Sequence, residues 1–472
     1  MKAKGIFLKE IDFPEFGKAD PVIYPSADEL KGRIAKIRNM MEERQLSHIV
    51  VYGDREHSGN LMYLSHFDPR FEEALLIIDR VNKPVLLVGN ECVGHLTVSP
   101  LYNEKELRYE RYQPFSLINQ PWNESRSLSE IFNDEGVKAD SRVGCIGWKY
   151  YSEIDSGDCE KIIELPSFIV DTLRSVCGYN NVVNASDMLM SPRYGLKSTL
   201  SPFEIAHFEF VNVMASEGVK NLLKNFKVGI TDFDLVKEYQ YTGYPLGCHI
   251  GMKSSGNQHI GLSSPVGAVL KRGEPCSTNI AYCGSNICRA GWVAESEQDL
   301  PEQARDYIDK FAAPYFYACT KWLENMKIGT KGRVFRQLID DLLPFEDFGV
   351  FLNPGHLIHY EEWLSSPIYE DSEDEIRSGM YMQVDIIPRS KIYFSSRMED
   401  GIVIADNELQ SQLKAQYPEV YERCMERREF MKAVLGINLP EEVLPLSNIP
   451  SIVPPFFLNY RRVLCLNQQS GS

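Results

Sequence analysis

The 472-residue chain has no apolar run of membrane-spanning length, no CxxC pair and no excess of basic charge. Each absence removes a class of function. Without about 20 consecutive apolar residues no helix is expected to span a bilayer, so no membrane partner is expected. The opening "MKAKGIFLKEIDFPEFGKAD" holds no uninterrupted apolar core and no small-residue cleavage site, so it does not read as a leader. The eleven cysteines are scattered, which fits reduced thiols and a cytoplasmic protein better than a disulfide framework. Acidic residues outnumber Lys and Arg by 66 to 50, a net charge of -16. A polyphosphate backbone is bound by clustered cations, so no nucleic-acid partner is expected and a small-molecule substrate is favoured.

What is present is the composition of a folded globular protein, 43% hydrophobic and 25% charged. The length predicts two domains. In the first half, helical and strand patterns alternate. Ser26 with Glu29 three residues later opens a helical period, and "HIVVYGD", "EALLIID", "PVLLVGN" and "RVGCIGW" read as buried strands. These define a smaller α/β domain over residues 1–180. The polar, turn-rich stretch 178–199 reads as a link. Beyond it, long helical patterns such as "PEQARDYIDKFAAPYFYACTKWLENM" are interspersed with hairpins, an α+β pattern over 190–437. Residues 438–472 hold five prolines among large apolar side chains, too broken for a helix and too apolar for a free tail. They read as an extended strap packed on this chain or a neighbour.

Four of the nine histidines fall in two glycine-bearing segments, "GCHIGMKSSGNQHIG" (His249, His259) and "NPGHLIHYEEW" (His356, His359). Glycine lets backbone approach a ligand, and His exchanges protons near neutral pH. Asp385 in "MQVDIIP" and Glu399 in "SRMEDGI" lie in strand patterns where a buried carboxylate needs a partner. The hairpin "STNIAYCGSNICRAGW" carries Asn279, Asn286 and Cys288 where a buried sheet would carry valine.

In order, "GLKSTLSPFEI", "VGITDFDL", "SSGNQHIGLSSP", "LKRGEPCSTNIAYCG", "PGHLIHYEE", "IRSGMYMQVDIIP" and "SRMEDGIVIAD" resemble the creatinase, aminopeptidase P and prolidase family. The resemblance covers Lys197 to Asp406 and implies a pita-bread carboxy-terminal domain behind a smaller amino-terminal one. Peptidases of that family hold two metal ions with two aspartates, a histidine and two glutamates. Carried over, the histidine is His356, the glutamates are Asp385 and Glu399, and the aspartates fall at Asn279 and Asn286. A neutral amide is a poor ligand for a hard dication, so the expected cofactor is none, with a loosely bound divalent ion left open.

Creatinase-like members work without metal, using a histidine to shuttle a proton and glutamates to hold a guanidinium group. The resemblance makes His259 the shuttle and His249 the reserve, although without gaps the family histidine falls at Leu262. His356, Glu399 and Asp385 would bind and polarise the substrate, with Asn279, Asn286, His359 and Arg289 lining it. Where creatinase-like enzymes place Glu before Arg, this chain has Cys288 before Arg289, a candidate nucleophile if activated. Arg70 in "DPRFEE" would clamp a substrate carboxylate across a homodimer interface; its alternative is an ion pair with Glu72 or Glu73.

The expectation is therefore a homodimeric, metal-independent hydrolase of a C–N bond in a small carboxylate-bearing molecule, its site near the subunit interface. Two alternatives stand beside it: an Xaa-Pro metallopeptidase with a degenerate metal site, and an inactive relative that binds a ligand or partner, the Pro-rich strap being its contact surface.

Overall fold

The computed structural model describes residues 5–18, 24–121, 125–152, 157–254 and 263–467. The chain divides into two compact units, one of Tyr24–Ser198 and one of Met1–Ile23 with Thr199–Ser472. Among the described residues no helix is long and apolar enough to cross a membrane.

Along the chain, β1 (Ile6–Glu10) belongs to the larger unit, and β2 (His48–Gly53), β3 (Ala74–Asp79), β4 (Val85–Val88), β5 (Arg108–Arg111), β6 (Val143–Ile146) and β7 (Val182–Asn184) build the smaller one. Those six form a mixed sheet in the order β5-β4-β3-β2-β6-β7. β2 pairs parallel to β6 and antiparallel to β3. Its residues are buried throughout, as the unbroken apolar run "HIVVYG" requires of a central strand. The helix Ala27–Glu43 starts where Ser26 accepts the Glu29 N–H, and it buries Leu30, Ile34, Ile37 and Met41 at helical spacing. The core gathers Val50, Leu75, Leu87, Phe115, Phe132 and Leu173. Edge strand β5, "RYER", is charged and mostly exposed, which discourages pairing with another chain. The stretch 178–199, polar enough to read as a link, instead supplies β7 and a short helix and is largely buried.

The larger unit holds β8 (Leu246–Lys253), β9 (Pro275–Tyr282), β10 (Ile287–Trp292), β11 (His356–Leu357), β12 (Tyr381–Gln383), β13 (Arg397–Glu399), β14 (Gly401–Ile404), β15 (Val443–Pro445) and β16 (Arg462–Leu466). They form two four-stranded antiparallel sheets, β13-β10-β9-β8 and β11-β12-β14-β15, and a ribbon of β1 with β16. The helix Pro202–Lys224 opens with a reciprocal Ser201–Glu204 capping box and is buried along most of its length. The periodic stretch 301–326 is one helix by its pattern but begins in short turns and widens over Ile308–Ala312 before the helix Ala313–Glu324. Pro314 explains this, because its ring and missing N–H cannot fit a regular turn behind it.

The turn of the β9–β10 hairpin requires Gly284. Its φ is +98°, and an added Cβ would stand 2.3 Å from the Phe208 ring. Tyr381 donates its hydroxyl to the Gly284 carbonyl at 2.8 Å and accepts from Asn212 at 2.6 Å, tying hairpin, second sheet and long helix together.

The carboxy-terminal strap packs on its own chain. Residues 443–457 are buried, and Arg289 clamps them. Its guanidinium donates to the Ile452 and Ile449 carbonyls at 2.7 Å each and to both Asp400 oxygens at 3.1 and 2.8 Å. Ser451 N–H completes Asp400 at 3.1 Å. Arg289 is wholly buried, so Arg289→Met strands a buried carboxylate, a loss of about 3–5 kcal/mol. Urea unfolding of Arg289→Met is expected to show that loss, whereas Arg70→Met, at a half-exposed position, stays within about 0.5 kcal/mol of the parent.

Candidate active site

The site grows from strand register. Asn279 on β9 lies opposite Cys288 on β10, and Cys288 lies opposite Glu399 on β13. Side chains alternate along a strand, so Asn279, Cys288, Glu399 and Asn286 at the foot of β10 share one face and Arg289 takes the other. In the second sheet His356 lies opposite Gln383, and Asp385 follows two residues later.

These side chains converge. Asn286 Nδ2 donates to Glu399 at 2.9 Å and to Glu362 at 3.2 Å. His356 Nε2 stands 3.6 Å from Glu362, 3.8 Å from Asp385 and 3.9 Å from Glu399. Arg397 Nη2 bridges the acids, 2.9 Å from Asp385 and 2.7 Å from Glu399. Gln383 Nε2 donates to the Asn286 carbonyl at 3.1 Å. The Trp363 indole stacks on the His356 ring, centroids 4.2 Å apart. Trp363 and Glu362 are the partly exposed members, and His356 and Glu399 are fully enclosed.

Hydrogen bonding fixes the histidine. His356 Nδ1 lies 3.1 Å from the Leu357 carbonyl, which can only accept, so Nδ1 carries the proton. Its Nε2 has no hydrogen-bond partner, and neither do Asn286 Oδ1, Gln383 Oε1 or Arg397 Nε. The Asn286 amide is oriented by its neighbours, because a flip would set Oδ1 against two carboxylates. Burial, reinforced by the Asp385 charge, pushes the Glu399 carboxyl well above its ordinary range against the pull of Arg397. Among the described residues His356, Glu362 and Glu399 form a group whose ligand atoms lie within 4.8 Å of one another.

The other expected site residues are placed as follows. Asn279 lies over Gly251, where a Cβ would meet Oδ1 at 1.9 Å, and its amide nitrogen is 3.9 Å from Cys248 Sγ. Cys288 is on the site face, but burial pushes its thiol up to about 12, the form that does not attack. His359 turns to Glu204, 3.2 Å away, pinning its loop to the long helix. His249 is exposed on β8. His259 lies outside the described residues. Arg289 serves the strap clamp. In the smaller unit Arg70 is half-exposed with a φ of +56° and pairs with Asp68 at 3.1 Å. It pairs with neither Glu72 nor Glu73: Glu72 is spent on the Glu91 and Cys92 N–H groups, and Glu73 on the Tyr52 hydroxyl.

Glu362, Gln383, Arg397 and Trp363 complete the site without having been expected there. Glu362 and Trp363 sit in the histidine-rich segment "HLIHYEEW", where an acid three residues beyond the second histidine was the available signal.

No protein-family model and no curated protein matches this sequence. Solved structures do match the fold. The prolidase from Pyrococcus horikoshii OT3 is 14% identical, with a TM-score of 0.61 over 79% of this chain and 95% of that one. The chain has the pita-bread fold. The X-Pro aminopeptidase from Thermotoga maritima MSB8 is 13% identical, with a TM-score of 0.59 over 79% of this chain and 95% of that one. The N-terminal domain of FACT complex subunit SPT16 from Cicer arietinum is 14% identical, with a TM-score of 0.56 over 80% and 94%. At these identities the likeness is one of fold, and chemistry has to be argued from side chains.

The Cys288 environment is directly testable. Iodoacetamide at pH 8 is expected to label the partly exposed Cys159 and leave Cys288 unmodified in the folded protein, as read by peptide mass mapping. Equal labelling of the two would mean a reactive thiolate at Cys288.

Proposed function

We propose that this chain is a metal-independent hydrolase of a C–N bond in a small polar, carboxylate-bearing molecule, with His356 moving the proton. One observation carries the reading. The His356 ring is buried, its Nδ1–H is held by a carbonyl, and its Nε2 lies open toward three carboxylates. That is the arrangement of a base held in one tautomer. We assign the shuttle to His356 in place of His259.

In this reading Asn279 and Asn286 stand where the resemblance places metal-binding aspartates. Asn286 offers its N–H donors to Glu362 and Glu399, where a cation needs acceptors, and Arg397 already holds one oxygen of Asp385 and one of Glu399. Two dications therefore do not fit these residues. Catalysis would proceed by water adding to the carbon of the C–N unit. His356 Nε2 takes the water proton as the C–O bond forms, then returns it to the departing nitrogen as the C–N bond breaks. Glu362 and Glu399 hold the nitrogen side. The expected homodimer, with Arg70 clamping the substrate carboxylate, belongs to the same proposal and is supported by the exposure of Arg70 on a loop pinned by Asp68.

A second reading, an Xaa-Pro peptidase with a single ion on His356, Glu362 and Glu399, is favoured by the 4.8 Å grouping of those ligand atoms. The binding-only alternative loses its expected contact surface, since residues 443–457 are buried within their own unit.

Amine release from Ala-Pro, creatine and a panel of carbamoyl and guanidino acids separates the readings. The metal-independent reading expects turnover of one of these compounds that survives EDTA and falls by about 10²-fold or more in His356→Ala. Activity lost to EDTA and restored by Mn, Zn or Co would install the one-ion reading, and ligand binding without turnover would install the binding-only one.

A further inference from the structure

Asn286 and Gln383 present an unusual pair of orphans. Asn286 is 6% exposed and Gln383 is fully buried. Each spends its amide N–H on a neighbour, Asn286 on the two glutamates and Gln383 on the Asn286 carbonyl. Each is left with an amide oxygen that accepts nothing. A buried acceptor without a donor costs about 1–3 kcal/mol, so two on residues joined by a hydrogen bond are the mark of a missing donor. The Asn286 amide also reaches Glu362 and Glu399, both acceptors.

We infer that this acceptor-rich lining is a subsite for an ammonium group, either free ammonium or the protonated end of a primary amine. The chemistry follows from count and charge. Glu362, Asp385 and Glu399 bring three carboxyl groups against the single guanidinium of Arg397, which leaves room for one more positive charge. Amide oxygens bind a dication weakly but suit N–H donors, and an ammonium group supplies three or four of them in a tetrahedral spread. A bare monovalent metal ion would match the charge but not the directional donors, and a water would match two donors but not the charge. The assignment deepens the preceding reading by giving the amine released from the C–N bond, or the amine end of the substrate, a place to bind. It rests on that reading only for this role, because binding needs no turnover.

The test is the unfolding temperature of the full chain in ammonium, methylammonium, potassium or tetramethylammonium chloride at equal ionic strength, in the parent, Gln383→Leu and Gln383→Glu. Ammonium at about ten times its dissociation constant is expected to raise the midpoint by about 1–3 °C over tetramethylammonium. Potassium should give no such rise, and Gln383→Leu should erase it. Each variant is compared with its own tetramethylammonium value, so lost stability does not confound the difference. Gln383→Glu keeps an acceptor and should keep the ammonium rise. A rise with methylammonium as well points to the amine end of a substrate, and a rise with ammonium alone to released ammonia; both support the subsite. Equal rises with potassium, no rise with either ammonium ion, or a rise that persists in Gln383→Leu would each overturn it. Because the readout is binding, failure here leaves the hydrolase reading standing, and failure of turnover leaves the subsite standing.

Discussion

The site depends on one guanidinium shared between two carboxylates. Three acidic side chains approach a single histidine inside the larger unit, and without a counter-charge they would drive the strands apart; even beside Arg397 the Glu399 carboxyl stays well above its ordinary range. Arg397 lies on the same strand as Glu399, two residues away, so it reaches along its own face to grip Glu399 and across to Asp385. With that charge in place, Asn286 needs only to add neutral donors to Glu399 and Glu362, and His356 can sit against all three acids. The side chains that would repel a substrate are thus turned into a fixed polar surface.

The two faces of β10 divide the labour. Cys288 and, just before the strand, Asn286 look into the site; Arg289 looks the other way and holds the strap through Asp400 and two carbonyls. The strap in turn supplies β15, which edges the sheet carrying His356 and Gln383. The geometry of the histidine therefore leans on residues far along the chain. It also leans on the long helix, where Glu204 both caps its own N-terminus and receives His359 from the loop that presents Glu362 and Trp363.

Much of this was legible in the sequence. Short apolar runs announced β2, β3, β4 and β6, because buried strands need no polar alternation. The ordered motifs from Lys197 to Asp406 announced the pita-bread fold, and His356, Asp385 and Glu399, grouped by the resemblance alone, lie together. The rest was hidden for physical reasons. Arg289 reads as a ligand contact because it follows a site residue, but strand alternation turns it away, and only the strap, which has no periodic signature, reveals its partner. Glu362 and Gln383 fall inside the ordered motifs but at positions the resemblance gives no role; they matter because of the loop after His359 and a cross-strand register. Pro314 hid a widened turn inside a helical period. Cys288 had the right neighbours for a nucleophile, and only its burial shows that its thiol keeps its proton.

The ribbon of β1 with β16 sets a condition on how the molecule is made. Ile6 pairs with Leu466 and Glu10 with Arg462, so β1 waits for a partner strand synthesised several hundred residues later. At roughly 5–20 residues per second that wait is on the order of half a minute to a minute and a half. Through that interval β1 has no partner, the larger unit lacks its strap, and Asp400 faces Arg289 without the carbonyls that complete the clamp. The smaller unit, whose sheet comes from Tyr24–Ser198 alone, carries no such delay. Birth of this protein is a two-tempo event, with the smaller unit able to settle early and the unit that bears the histidine closing only once β16 has been made.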